Sequence, residues 1–138
     1  MYSCGGEHGR CTRQLRPDAP RTSYGSAVWC ADDSGVLVAC DADTEFQHLC
    51  RIDVRSGELT RLTSDIQWDV EEVISAPGGR VAAFAVNADG CSDVYLLDTV
   101  SMQRVRIDGV PMGVVAGVVF DWSGERLAFS MNIHLLVL

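Results

Sequence analysis

Three turn glycines, Gly35, Gly79 and Gly124, stand 44 and 45 residues apart, and each closes a similar segment. The segments are Val28-Trp29-Cys30-Ala31-Asp32-Asp33-Ser34-Gly35, Val73-Ile74-Ser75-Ala76-Pro77-Gly78-Gly79 and Val119-Phe120-Asp121-Trp122-Ser123-Gly124. A short apolar stretch follows each glycine, and the pairs Ala39-Cys40, Ala83-Phe84 and Ala128-Phe129 keep the same two spacings. Asp53, in Arg51-Ile52-Asp53-Val54, and Asp98, in Leu96-Leu97-Asp98-Thr99, are again 45 apart. A fixed period of this size means one supersecondary unit stacked side by side, because a single unit cannot bury its apolar face alone.

Each period reads as four short strands. In the second copy they run over about residues 70–75, 80–86, 93–98 and 104–108, rich in Val, Leu, Phe and Tyr. Pro77-Gly78-Gly79 and Asn87-Ala88-Asp89-Gly90 supply the reversals, since Pro presets φ and Gly, Asn and Asp tolerate positive φ. Helical repeats of similar length need long stretches of 3.6 periodicity, and here Gly, Pro, Asn or Asp interrupts every strand-length run. The expected fold is all-β, built of antiparallel four-stranded β-propeller blades. The chain divides into a tail with an outer strand of a preceding blade (1–25), a first blade (26–65), a second blade (66–110) and a partial third blade (111–138). At this period its 138 residues make about two and a half blades, an incomplete propeller, where closed ones hold typically four to eight.

Composition narrows the functional classes. Nineteen acidic residues against eleven basic ones, all Arg, give a formal charge of -8, which repels a phosphate backbone and argues against nucleic-acid binding. No apolar run has the length of a membrane span, and the start Met1-Tyr2-Ser3-Cys4-Gly5-Gly6-Glu7-His8 lacks the pattern of a secretory signal. A soluble cytoplasmic protein with free thiols at its six cysteines is the expectation, with no membrane partner.

The stretch Phe46-Gln47-His48-Leu49-Cys50-Arg51-Ile52-Asp53-Val54-Arg55-Ser56-Gly57-Glu58-Leu59-Thr60-Arg61-Leu62-Thr63 resembles the strand-turn-strand unit of TolB-type and prolyl oligopeptidase-type propellers, "LYxxDxxTGxxxxLT". Ala76-Pro77-Gly78-Gly79-Arg80-Val81-Ala82-Ala83-Phe84 and Asp121-Trp122-Ser123-Gly124-Glu125-Arg126-Leu127-Ala128-Phe129 resemble its "SPDGxxxAF" turn. The likeness covers about residues 26–132, with Ser34, Gly78 and Ser123 replacing the usual turn aspartate and Cys50 a frequent aromatic. A prolyl oligopeptidase-type resemblance implies a substrate-gating propeller that caps a separate α/β-hydrolase domain and admits peptides. A TolB-type resemblance implies a protein-interaction module with no link to hydrolysis. Implied partners are the remaining blades and that hydrolase domain, or further copies meeting through uncovered blade faces and unpaired strand edges.

No catalytic, cofactor-binding or metal-binding residue is assigned. A nucleophile elbow would read G-x-S-x-G, and Gly90-Cys91-Ser92-Asp93-Val94 fails at its last position. His8, His48 and His134 have no evident nucleophile and acid beside them. Cys4, His8 and Cys11 match no common zinc spacing and read as a loose tail; Cys30, Cys40 and Cys50 read as buried inert thiols at strand positions. Asp41, Asp43 and Glu45 lack the calcium-loop order and read as solvated turn charges. Glu71 and Glu72, which invite comparison with a peptide amino-terminus anchor, fall where a first strand begins. Trp29, Trp68 and Trp122 read as packing residues near blade starts.

Overall fold

A computed structural model describes the backbone of residues 2–4 and 11–13 and, in full, residues 14, 15 and 21–133. His8, His134 and the apolar tail after Ile133 lie outside the described residues.

Among the described residues, twelve strands form four antiparallel sheets. β1 (Tyr2–Cys4) pairs with β2 (Cys11–Gln14). The first blade is β3 (Tyr24–Trp29), β4 (Gly35–Cys40), β5 (His48–Asp53) and β6 (Leu59–Arg61), in that spatial order. The second is β7 (Asp69–Ser75), β8 (Val81–Ala88), β9 (Cys91–Asp98) and β10 (Arg104–Arg106), also in order. A third unit holds β11 (Val114–Phe120) and β12 (Leu127–Asn132). Every connection within a sheet is between sequence neighbours, the meander expected of propeller blades.

Local chemistry sets the strand limits. β8 and β9 run longer than the sequence suggests because Ala88 still pairs with Cys91, leaving a two-residue turn. Asp89 and Gly90 there have φ of 53° and 81°, the doubly positive pattern of a type I′ hairpin turn, whose twist matches that of its strands. Asn87 Oδ1 accepts the Gly90 N–H at 3.0 Å and fixes the reversal.

Packing between blades follows the two-residue alternation of strands. Between the blades lie Cys30, Leu37, Ala39 and Leu49 of the first and Val70, Val73, Phe84 and Leu97 of the second. Phe84 stacks on its cross-strand partner Tyr95 at a centroid distance of 4.9 Å. Ala83 and Val94, on the other face of the second blade, pack with Val115 and Val118 of the third unit. Val118 thereby takes the inward place of Val73, each standing six residues before its turn glycine, Gly124 and Gly79.

The first blade's other face is not left bare. Leu15, directly after β2, is buried against Val36, Val38, Cys50 and Ile52. This changes the expectation of two uncovered faces, because a residue outside the obvious repeat covers part of one.

Candidate interaction surface

Backbone and side-chain hydrogen bonds stitch the units together at repeated positions. Gln47 and Ser92, one period apart, each open the third strand side of a blade and reach the first strand of the next. The Gln47 N–H donates to Asp69 Oδ1 and its carbonyl accepts from Val70 N–H, both at 2.8 Å. The Ser92 N–H donates to the Gly113 carbonyl at 2.8 Å, and its Oγ accepts from Val115 N–H at 2.9 Å. Ser92, the serine of the near-miss elbow, is buried and engaged as a tie between units.

Glu72 makes the second tie. Its Oε1 accepts the Gly117 N–H and its Oε2 the Val118 N–H, each at 3.1 Å. The β11 bulge turns two successive N–H groups toward β7, and one carboxylate satisfies both. Glu71 instead accepts from Asn87 Nδ2 at 3.0 Å within its own blade. The neighbouring glutamates are therefore separate structural groups, and nothing in the run Asp69-Val70-Glu71-Glu72-Val73 singles out Glu72 for this tie until the bulge is known.

The other candidates are placed as follows. Cys30, Cys40 and Cys50 are buried, and burial pushes the Cys30 thiol above its ordinary range. Cys4 and Cys11 are cross-strand neighbours in backbone register; their side chains, and His8, are not among those described. Asp41 Oδ1 accepts from Ser23 N–H at 2.7 Å, while Asp43 and Glu45 are exposed. No group of three His, Cys, Asp or Glu among the described residues is arranged to hold a metal. His48 is buried, and its Nδ1 lies 2.9 Å from the Thr63 carbonyl, so Nδ1 carries the proton in that bond. Asp53 and Asp98 hold their turns: Asp98 Oδ1 accepts from Val100 and Ser101 N–H at 2.8 and 2.9 Å, and Oδ2 pairs with Arg80.

The tryptophans depart from the sequence expectation. Trp29 and Trp68 are about half exposed, and Trp122 is 97% exposed at the β11–β12 turn. Trp122 packs on nothing because the surface beyond the third unit is uncovered among the described residues. Beside it, an open groove of about 460 Å³ is lined by Ile74, Ala76, Pro77, Val119, Phe120 and Trp122. Val119 is 55% exposed on the same side, with Ala116 and Ala128 also exposed. Asp121 also lines the groove and forms an ion pair with Arg126 at 2.9 Å, and Arg126 followed by Ser123 holds the Asp121 carboxyl below its ordinary range. An apolar centre bordered by a charged group is the composition of a protein-docking patch.

The sequence matches no protein-family model and no curated protein. Among solved structures it is similar to TolB from Acinetobacter baumannii, with a TM-score of 0.61 and 17% identity, over 79% of this chain and 27% of that one. The chain thus spans about a quarter of the length of that protein, and its fold is that of an incomplete β-propeller of TolB type.

Proposed function

We propose that this chain is a TolB-like protein-interaction module that works by docking through the apolar groove between its second blade and third unit, in the cytoplasm and without chemistry of its own. The observation that carries this reading is the groove beside Trp122 and Val119, apolar and bordered by Asp121, which pairs with Arg126. The partner is a protein surface with an apolar centre; the charge of -8 disfavours nucleic acid. The alternative role, a gate for a prolyl oligopeptidase-type hydrolase domain, has only the motif resemblance in its favour.

A photo-crosslinking amino acid, p-benzoylphenylalanine, placed at position 122 in the producing cell tests the reading. The expected result is a discrete protein adduct at 122 and none at 103, on the outer edge of the second blade. Equal adducts at both positions, or none at 122, overturn it. A fluorophosphonate probe that labels the chain, with labelling lost on mutation of one serine, replaces it with a hydrolase.

A further inference from the structure

The third and outer strands of the two blades share one register: Cys50 faces Arg61 and, one period on, Tyr95 faces Arg106. His48 of the first blade is therefore the counterpart of Asp93 in the second, and Arg61 that of Arg106. In the second blade the two positions satisfy each other, since Arg106 Nη2 pairs with Asp93 Oδ1 at 2.5 Å. In the first they do not. Histidine replaces the carboxylate, and Arg61 has no acidic partner among the described residues; its Nη2 donates to the Ala42 carbonyl at 2.8 Å.

The connections beside these positions differ as well. β8 and β9 meet in the tight turn at Asp89-Gly90, whereas β4 and β5 are linked by residues 41–47. An open pocket of about 400 Å³ lies at this end of the first blade, walled by Glu45 and Phe46 of the link, by His48 and Arg61, and by Ser64 and Gln67 of the β6–β7 connection. Both connections are pinned. Thr44 Oγ1 donates to the Phe46 carbonyl at 2.8 Å, and Arg104 of the second blade donates to the Leu62 carbonyl at 2.7 Å and pairs with Asp65.

His48 is the group that calls for a ligand. It is 5% exposed, and its Nδ1–H is engaged by the Thr63 carbonyl, which leaves Nε2 with a lone pair. Nε2 makes no hydrogen bond among the described residues and is not sealed from solvent, so the pocket is where it finds a donor. Glu45 is a second acceptor, Arg61 and Gln67 bring donors, Ser64 does both, and Phe46 offers a ring face. The charges of Glu45 and Arg61 cancel, and an ion of either sign meets a like charge. Hydroxyls, which donate and accept at one atom, suit such a mixture.

The geometry points to a binding site for a neutral polyhydroxylated ligand, a sugar, with one hydroxyl donating to His48 Nε2 and others engaging Glu45 and Arg61. The volume falls in the range of small-molecule sites, about 300–1,000 Å³. This site goes beyond the interaction module and is separate from its groove: Asp69, at the start of β7, is tied to Gln47 beside the pocket, while Ser75, at the end of β7, lines the groove.

NMR of the 138-residue chain labelled with nitrogen-15 histidine tests the proposal. The His48 Nε2 signal is assigned by its loss in His48→Gln, or by elimination in His8→Gln and His134→Gln. Titration with the methyl glycosides of glucose, galactose, mannose and N-acetylglucosamine is expected to move that signal saturably for at least one of them, while acetate and methylguanidinium leave it in place. Glu45→Ala, at an exposed position, is expected to raise the half-saturating concentration about ten-fold with the β-sheet circular dichroism unchanged. Trp122→Ala, in the groove, is expected to bind as wild type. A signal unmoved by every glycoside, a shift caused by either ion at lower concentration than by any glycoside, or unchanged binding in Glu45→Ala overturns the sugar site. Loss of the response in Trp122→Ala moves binding to the groove and overturns it too.

Discussion

Glu72 and Val118 are joined across the second junction by a 3.1 Å hydrogen bond from the Val118 N–H to Oε2, with Oε1 holding the Gly117 N–H. Hydrogen bonds to a charged group contribute about 1.5–3 kcal/mol, and an orphaned donor costs its desolvation. Glu72→Ala is therefore expected to destabilise the fold by about 1–3 kcal/mol in urea unfolding, and Glu72→Gln, which keeps one acceptor, by about half as much. Glu71→Ala, which breaks only an exposed bond to Asn87, is the control and is expected to change little.

Phe84 is 1% exposed and stacked on Tyr95, whereas Val105, on the outer strand of the same blade, is 61% exposed. Truncation of a buried Phe costs about 3–5 kcal/mol through lost transfer energy and a residual cavity. Phe84→Ala is expected to lose that much, and Val105→Ala about 0.5 kcal/mol or less, in the same denaturant titration. Equal effects at the two sites would contradict the packing of the first junction.

The repeat was legible because its signals are local. Turn chemistry at Pro77-Gly78-Gly79 and Asp89-Gly90 depends on φ preferences of single residues, and the strands between them alternate. What eluded sequence reading depends on contacts between distant residues. Nothing in the sequence around Leu15 tells that it covers the first blade. Met102 is a further case: it stands one period after Gly57 and adopts φ of 59°, doing in the second blade what glycine does in the first. The candidate surface is legible only as an incomplete blade count. Its tryptophan, Trp122, reads as a packing residue, because a Trp near a blade start looks the same whether or not a neighbour covers it.

Gly57 has φ of 74°, and a Cβ added there would stand 2.5 Å from the Leu15 carbonyl oxygen. Gly109 has φ of 78° with open space around it. Both Gly→Ala changes cost the left-handed penalty of about 1–2 kcal/mol, but only Gly57→Ala must displace Leu15 from the first blade. Tryptic cleavage after Arg13 is expected to accelerate in Gly57→Ala and to stay at the wild-type rate in Gly109→Ala. Matching rates in the two variants would mean that Leu15 is not held against this turn.

Asp98 makes the fold sensitive to acid. The N–H groups of Ser101 and Val100, and then Arg80, lower its carboxyl from an ordinary 3.8 to about 2. A carboxyl lowered on folding binds its proton more readily in the unfolded chain, so its contribution is complete above about pH 4 and is lost as pH falls through 3.8 toward 2. Asp98→Asn keeps an oxygen acceptor for both N–H groups and removes the titration. Between pH 5 and 2.5, roughly the window in which this carboxyl changes its proton, the wild-type Tm is expected to fall more steeply than that of Asp98→Asn. Both curves still slope, since Asp53 and Asp121 are lowered in the same direction by Ser56 and Arg126. Parallel curves over that range would show that the Asp98 carboxylate does not stabilise its turn.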